Sequence, residues 1–190
     1  MADTIEVIER GARISFSFAD VLKYHGPGSP GGAAHAFKVL ARALPLLDPD
    51  GPCERREIVI ETAFGGPGAR DAFEMVTRAV TGDRFRVDPA LARPERGRTL
   101  EAFVFHVAYR DRGVTLTVRE GFVTDEFIDL ARTEHRDAGQ ERRLDALKRE
   151  MADRVLARPA VRSMTPTSRA LPAADEFRDV ARSLPKRSPP

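Results

Sequence analysis

Apolar positions recur along the chain in two rhythms, and the change from one to the other predicts its elements. Ala33, Phe37, Leu40, Leu44 and Leu47 repeat at three- and four-residue spacing, which predicts a helix over 33–47 with one core-facing stripe. A short strand is expected at 5–10. After it, Ser17 reads as the N-cap of a short helix carrying Phe18, Val21 and Leu22, with Asp20 in its first turn. Between the two helices His25-Gly26-Pro27-Gly28-Ser29-Pro30-Gly31-Gly32 holds four glycines and two prolines, which predicts a shaped loop belonging to neither helix. Residues 56–64 follow as a strand centred on Ile58, Val59 and Ile60. A second glycine loop, Gly65-Gly66-Pro67-Gly68, then opens a third helix over 69–80 with Ala72, Phe73, Val76 and Val80 on its inner side.

Phe85–Val87 reads as a short strand, and 99–109 with 114–120 as a hairpin turned at Asp111-Arg112-Gly113. The first hairpin strand is apolar on both faces, the pattern of a central strand covered twice, by helices or by a partner subunit. Here the sheet signal ends. A short helix is predicted at Asp125–Arg132 and a longer one at 140–157, where Leu144, Leu147, Met151 and Val155 form a narrow stripe suited to a lid or dimer helix. Pro159, Pro166 and Pro172 mark a weakly structured tail with one more helix expected at 173–184 and a disordered end at Ser188-Pro189-Pro190. The order predicts an α+β fold of two layers, helices on a mixed sheet, over 1–135, with a helical, Pro- and Arg-rich extension over 136–190.

Composition narrows the function classes. With 42% hydrophobic and 32% charged residues, and no apolar run near the roughly 20 residues a membrane helix needs, neither a membrane protein nor a fully disordered chain is expected. Residues 1–6 carry no basic and apolar leader, which predicts a cytoplasmic protein. The single cysteine, Cys53, leaves no internal disulfide and no multi-thiolate zinc cluster. Lys and Arg exceed Asp and Glu by 31 − 29 = +2; residues 151–190 hold eight basic and four acidic residues, +4, leaving −2 for 1–150. The basic residues of the tail alternate with acids and prolines rather than with aromatics, so nucleic acid is not an expected partner.

Each glycine loop delivers the chain to a helix start, where free amides and the helix dipole favour phosphate, carboxylate or water. His25 adds a titratable group and Ser29 a hydroxyl. No lysine follows Gly31-Gly32, so the first loop is not a P-loop. The candidate ligand-binding set is His25, Gly26, Gly28, Ser29, Gly31 and Gly32, joined by Glu61 near its strand end and Asp71 in the first turn of the third helix. The plain alternative is that both loops are tight connections. His35 reads as a surface histidine able to approach His25, His106 as a core or interface histidine, His135 as carrying no signal and Cys53 as an inert thiol. An enzymatic alternative makes His25 a general acid–base with Glu61 or Asp71. A third reading is a structural subunit docking through its C-terminal helices.

The segment Phe-Ala-Asp-Val-Leu-Lys-Tyr-His-Gly-Pro-Gly-Ser-Pro-Gly-Gly and the helix after it, within 18–44, resemble the FmdE-like family of formylmethanofuran dehydrogenase subunits, in which a short helix runs into His-Gly-His-x-Cys-Pro-Gly. His25, Gly26, Pro30 and Gly31 match in register, whereas Pro27 and Ser29 stand where the family has its second histidine and its cysteine. Ile58-Val59-Ile60-Glu61, Asp71-Ala72-Phe73 and Val80-Thr81-Gly82-Asp83 resemble later pieces of the pattern without their cysteines. The resemblance covers about residues 15–120. It implies a two-layer α+β fold like the catalytic-domain half of glyceraldehyde-phosphate dehydrogenase, a homodimer or a component of a larger complex, and a small-molecule or cofactor ligand. It also implies an accessory role in one-carbon metabolism around formyl-methanofuran or pterin carriers. Its zinc site is degenerate here, with His25 the metal candidate left in the loop.

Overall fold

The computed structural model describes residues 4–167. The chain opens with β1 (Thr4–Glu9) and β2 (Ala12–Ser17), an antiparallel hairpin turned through Arg10 and Gly11 at φ 52° and 81°. Ile5, Val7 and Phe16 face inward, while Arg13 and Ser15 point to solvent. β2 is an addition to the elements expected from the sequence.

Ser17 then caps α1 (Phe18–His25) through a reciprocal pair with Asp20, two otherwise orphaned amides being satisfied at once. Gly26 ends the helix at φ 79°, a left-handed value that glycine adopts without a Cβ clash. α2 (Pro30–Leu47) starts three residues earlier than its apolar pattern suggests. Pro30, Gly31 and Gly32 are its first turn and not loop, because proline at the first helical position gives up an amide that has no partner there anyway. The helix is also buried beyond its stripe: Ala34, His35, Ala36, Lys38 and Val39 are covered along with Phe37 and Leu40. It runs through the middle of the molecule, packed against α3 (Pro67–Thr77) on one side and α5 (Ala138–Leu156) on another.

Five strands form the main sheet: β3 (Ile58–Thr62), β4 (Phe85–Val87), β5 (Val104–Tyr109), β6 (Arg112–Val118) and β7 (Met164–Thr167), in the order β4-β3-β5-β6-β7. β3 and β4 run parallel and the other pairs antiparallel. Side chains alternate between faces, so Ile58, Ile60, Phe105, Val107, Leu116 and Val118 share the face covered by α2 and α3 and join one core. Glu61, His106 and Thr115 lie side by side on the opposite face. As the doubly apolar pattern predicts, β5 is central and buried along nearly its whole length. The hairpin turns at Arg110-Asp111 instead of Asp111-Arg112-Gly113, with Tyr109 opposite Arg112, and 99–103 is not strand.

α4 (Asp125–Arg132) occupies its predicted span. α5 buries Leu144, Leu147, Met151, Ala152 and Val155 and packs on α2 and α4, so its apolar stripe is used within the body of the protein and not on a detached lid. The predicted division at 135/136 falls between α4 and α5, which touch each other. β7 lies where the prolines suggested weak structure. Its Pro166 sits opposite Leu116 in an edge strand, where a missing amide is tolerated. The helix expected at 173–184 and the end at Ser188-Pro189-Pro190 lie outside the described residues. The architecture is α+β, helices packed on a mixed sheet. No helix among the described residues is long and apolar enough to cross a membrane.

Cys53 is fully buried, its thiol near the Leu44 carbonyl at 3.8 Å, and burial together with Asp48 pushes its pKa up to about 11. A neutral, covered thiol is a poor nucleophile. Dithionitrobenzoate at pH 7.5 should therefore label the native protein no faster than it unfolds; full labelling within seconds would show that the site opens.

Candidate functional site

His25, the last residue of α1, places Nδ1 2.8 Å from Oδ2 of Asp71 on α3. The imidazole side chain is 7% exposed, and its Nε2 is buried with no hydrogen-bond partner. Asp71 is the fifth residue of α3 and not part of its first turn, since the helix starts at Pro67. One carboxylate therefore orients one imidazole and leaves the other ring nitrogen uncommitted, the arrangement of an acid–base pair and equally of a tie between α1 and α3. Glu61 is not brought to this pair: it lies on the sheet face turned away from α3, opposite His106 in register. Burial raises its pKa, with Asp88 adding to the effect and Arg86 opposing it.

The two glycine loops meet. A Cβ on Gly68 would stand 2.2 Å from the Ser29 carbonyl oxygen, and one on Gly31 would lie 2.9 Å from the sulfur of Met151 on α5. These glycines let the starts of α2 and α3 touch and let α5 close over α2. Neither helix has a side-chain N-cap bond, so the first-turn amides of Gly31, Gly32 and Gly68 have neither a capping side chain nor an intrahelical acceptor.

A cavity of about 360 Å³ opens where they converge. Ser29, Gly31, Gly32, Gly66 and Gly68 form one wall; Phe64 and Phe103, stacked with centroids 4.4 Å apart, form another. Phe127 and Ile128 of α4 with Leu144 and Met151 of α5 close it, and Arg98, Arg132 and Lys148 add cations. Of the residues expected from the sequence, Ser29, Gly31 and Gly32 line this cavity; His25, Gly26, Gly28, Glu61 and Asp71 are not among its lining. Apart from Phe64, which directly precedes the second glycine loop, the aromatic and cationic lining escapes a reading of the sequence because it comes from 98–103 and 127–151, segments whose approach to the glycine loops depends on packing alone. A larger groove of about 490 Å³ beside the Asp48–Pro52 turn is more open to solvent and has no aromatic side chain in its lining.

Behind Phe103, 5.0 Å from its ring, lies His35. It is fully buried rather than on the surface, neither ring nitrogen has a hydrogen-bond partner, and burial lowers its pKa to about 3. His106 is also buried, with Nδ1 2.7 Å from the Thr115 hydroxyl.

The zinc implied by the family resemblance does not fit these residues. Zinc takes three or four nitrogen, sulfur or oxygen ligands, and among the described residues no three His, Cys, Asp or Glu side chains stand close enough to share an ion. Pro27 offers no donor, and His25 has one nitrogen turned to Asp71. No family model, curated protein or solved structure matches this chain.

Proposed function

We propose that this protein binds a small, largely apolar organic molecule in the cavity between the starts of α2 and α3 and the cover formed by α4 and α5. The cavity itself carries the reading: an apolar space of about 360 Å³ with a few polar groups converging on it is the usual form of a small-molecule site. The stacked Phe64 and Phe103 would hold a flat or aliphatic body. A carbonyl, carboxylate or phosphate oxygen on the ligand would meet the uncapped amides of the glycine wall. An accessory role among one-carbon carriers, and a dimeric or larger assembly, rest on the resemblance of 18–44.

The neutral fluorophore N-phenyl-1-naphthylamine tests the site. It should bind with one-to-one stoichiometry, and Ala102→Trp, which fills the cavity from its wall, should weaken it at least about tenfold, the loss of roughly 1.4 kcal/mol or more. Equal affinity in both proteins would remove the cavity as the site.

The His25–Asp71 pair keeps a second reading, acid–base chemistry, which requires the bound molecule to reach beyond the cavity lining, since neither residue is part of it. If it holds, occupancy by the fluorophore should shift the ¹⁵N resonance of His25 Nε2. An unmoved resonance confines the pair to joining α1 and α3.

A further inference from the structure

Two arginines that line the cavity tie α4 to the connection before β5 in opposite directions. Arg98, in the connection before β5, donates to both carboxylate oxygens of Asp129 on α4 at 2.7 and 3.0 Å and to Asp125 at 2.9 Å. Arg132, on α4, returns to Glu101 in that same connection at 2.8 Å. All these contacts are made in solvent, with the arginine side chains 47% and 58% exposed, so each contributes little alone and weakens with salt.

The inner side of α4 faces the cavity and meets the hydrophobic core through Ile128 and the partly buried Phe127. Phe127, Ile128 and Ala131 look onto the cavity, and Ile128 is the one buried residue of the helix. Its other attachments run to α5 and the turn between them: Arg143 holds both oxygens of Glu126 at 2.7 Å, and Arg136 donates to the carbonyls of Leu130 and Thr133. The chain reaches α4 through Gly121 at φ 84°, with no atom near the position a Cβ would take.

We infer that α4 is a lid on the cavity, latched to the 97–103 connection by the reciprocal Arg98–Asp129/Asp125 and Arg132–Glu101 pairs, and that ligand enters and leaves when this latch opens while α4 stays on α5. The inference rests on the ligand-site reading above. Opening breaks exposed ion pairs, lifts Phe127 and Ile128 from the core and uncovers an existing cavity, and salt should speed the breaking of the ion pairs.

Stopped-flow binding of N-phenyl-1-naphthylamine to the full chain tests the latch, because a neutral probe is not itself steered by salt. Between about 0.01 M and about 1 M salt the Debye length falls from about 30 to about 3 Å. Association and dissociation rates should both rise roughly three- to tenfold over that range, with the dissociation constant changing less than about twofold. Glu101→Gln with Asp129→Asn should reproduce the rise at low salt, whereas Glu57→Gln, which removes the Arg110–Glu57 pair away from the cavity, should not. Rates indifferent to salt and to the double variant, with binding retained, would overturn the latch and leave the site standing. Absence of binding in every protein would overturn the site. Hydrogen exchange without probe then reads the latch by itself. Amides of α4 should exchange roughly three- to tenfold faster in the double variant and those of α5 should not; unchanged exchange in α4 would overturn it.

Discussion

Gly68→Ala should destabilise the protein by about 2–4 kcal/mol, although alanine is the better helix former by about 1 kcal/mol. The clash is with backbone: the new Cβ would stand 2.2 Å from the Ser29 carbonyl oxygen and 2.9 Å from the Ala33 amide nitrogen, neither of which has a side-chain torsion to relieve it. Relief requires α3 to withdraw from α2, and that contact is among the most extensive in the fold. Gly28→Ala is the matched comparison. It belongs to the same glycine-rich segment but has no atom within 4 Å of the position its new methyl would take, and it should stay within about 0.5 kcal/mol of the wild type. Urea midpoints at constant m-value measure both. If Gly68→Ala stays within about 1 kcal/mol of the wild type, the two helix starts are not locked together and the cavity wall between them is soft.

The contrast between these glycines shows what is legible in the sequence. Local chemistry is readable: Ser17 with Asp20 marks the start of α1, the three- and four-residue spacing of Phe37, Leu40, Leu44 and Leu47 marks α2, and the doubly apolar 103–109 run marks a central strand. β2 is readable too, since Ile14 and Phe16 alternate with Arg13 and Ser15, but the run is short and passes directly into α1. Loop composition misleads where proline and glycine serve a helix start, because Pro30-Gly31-Gly32 has the same residues in a first turn as in a loop. β7 stays hidden since Pro166 disguises an edge strand and its partner β6 is almost fifty residues earlier. The site divides in the same way. The importance of the glycine segments is visible, but not that Gly68 meets Ser29, that Phe103 and α4 close the space beside them, or that His25 turns to Asp71 and not Glu61. Those facts depend on tertiary packing, which no local spacing encodes.

His35→Leu should make the protein more stable at pH 7, by about 1–3 kcal/mol, and remove a pH dependence that the wild type shows in mild acid. Both nitrogens of His35 are desolvated without a hydrogen-bond partner, so an apolar side chain of similar size loses no contact those nitrogens were making. The sign of the pH effect follows from burial. The folded pKa is lowered to about 3, against 6.5 for the free side chain, so between these values the unfolded chain binds a proton that the folded chain refuses. Stability is thus full above about pH 6.5 and falls by up to about 1.4 kcal/mol per pH unit below it, roughly 2–3 kcal/mol by pH 4.5. The carboxylates held low by hydrogen bonds, Asp20 to Ser17 and Glu74 to Thr81 and Val80, lose their contribution mainly as the pH falls below their ordinary values of 3.8 and 4.5. The wild-type minus His35→Leu difference between pH 7 and pH 4.5 therefore isolates the histidine from the other titrating groups. Urea denaturation across that range measures it, and two parallel curves would mean that His35 finds a partner or water in solution. Two unpaired nitrogens behind a cavity wall are a cost to the fold, and a buried polar group left so calls for an explanation. Phe103, which packs on this imidazole, also lines the cavity, so the same variant, assayed with the fluorophore, shows whether the imbalance is maintained for the ligand.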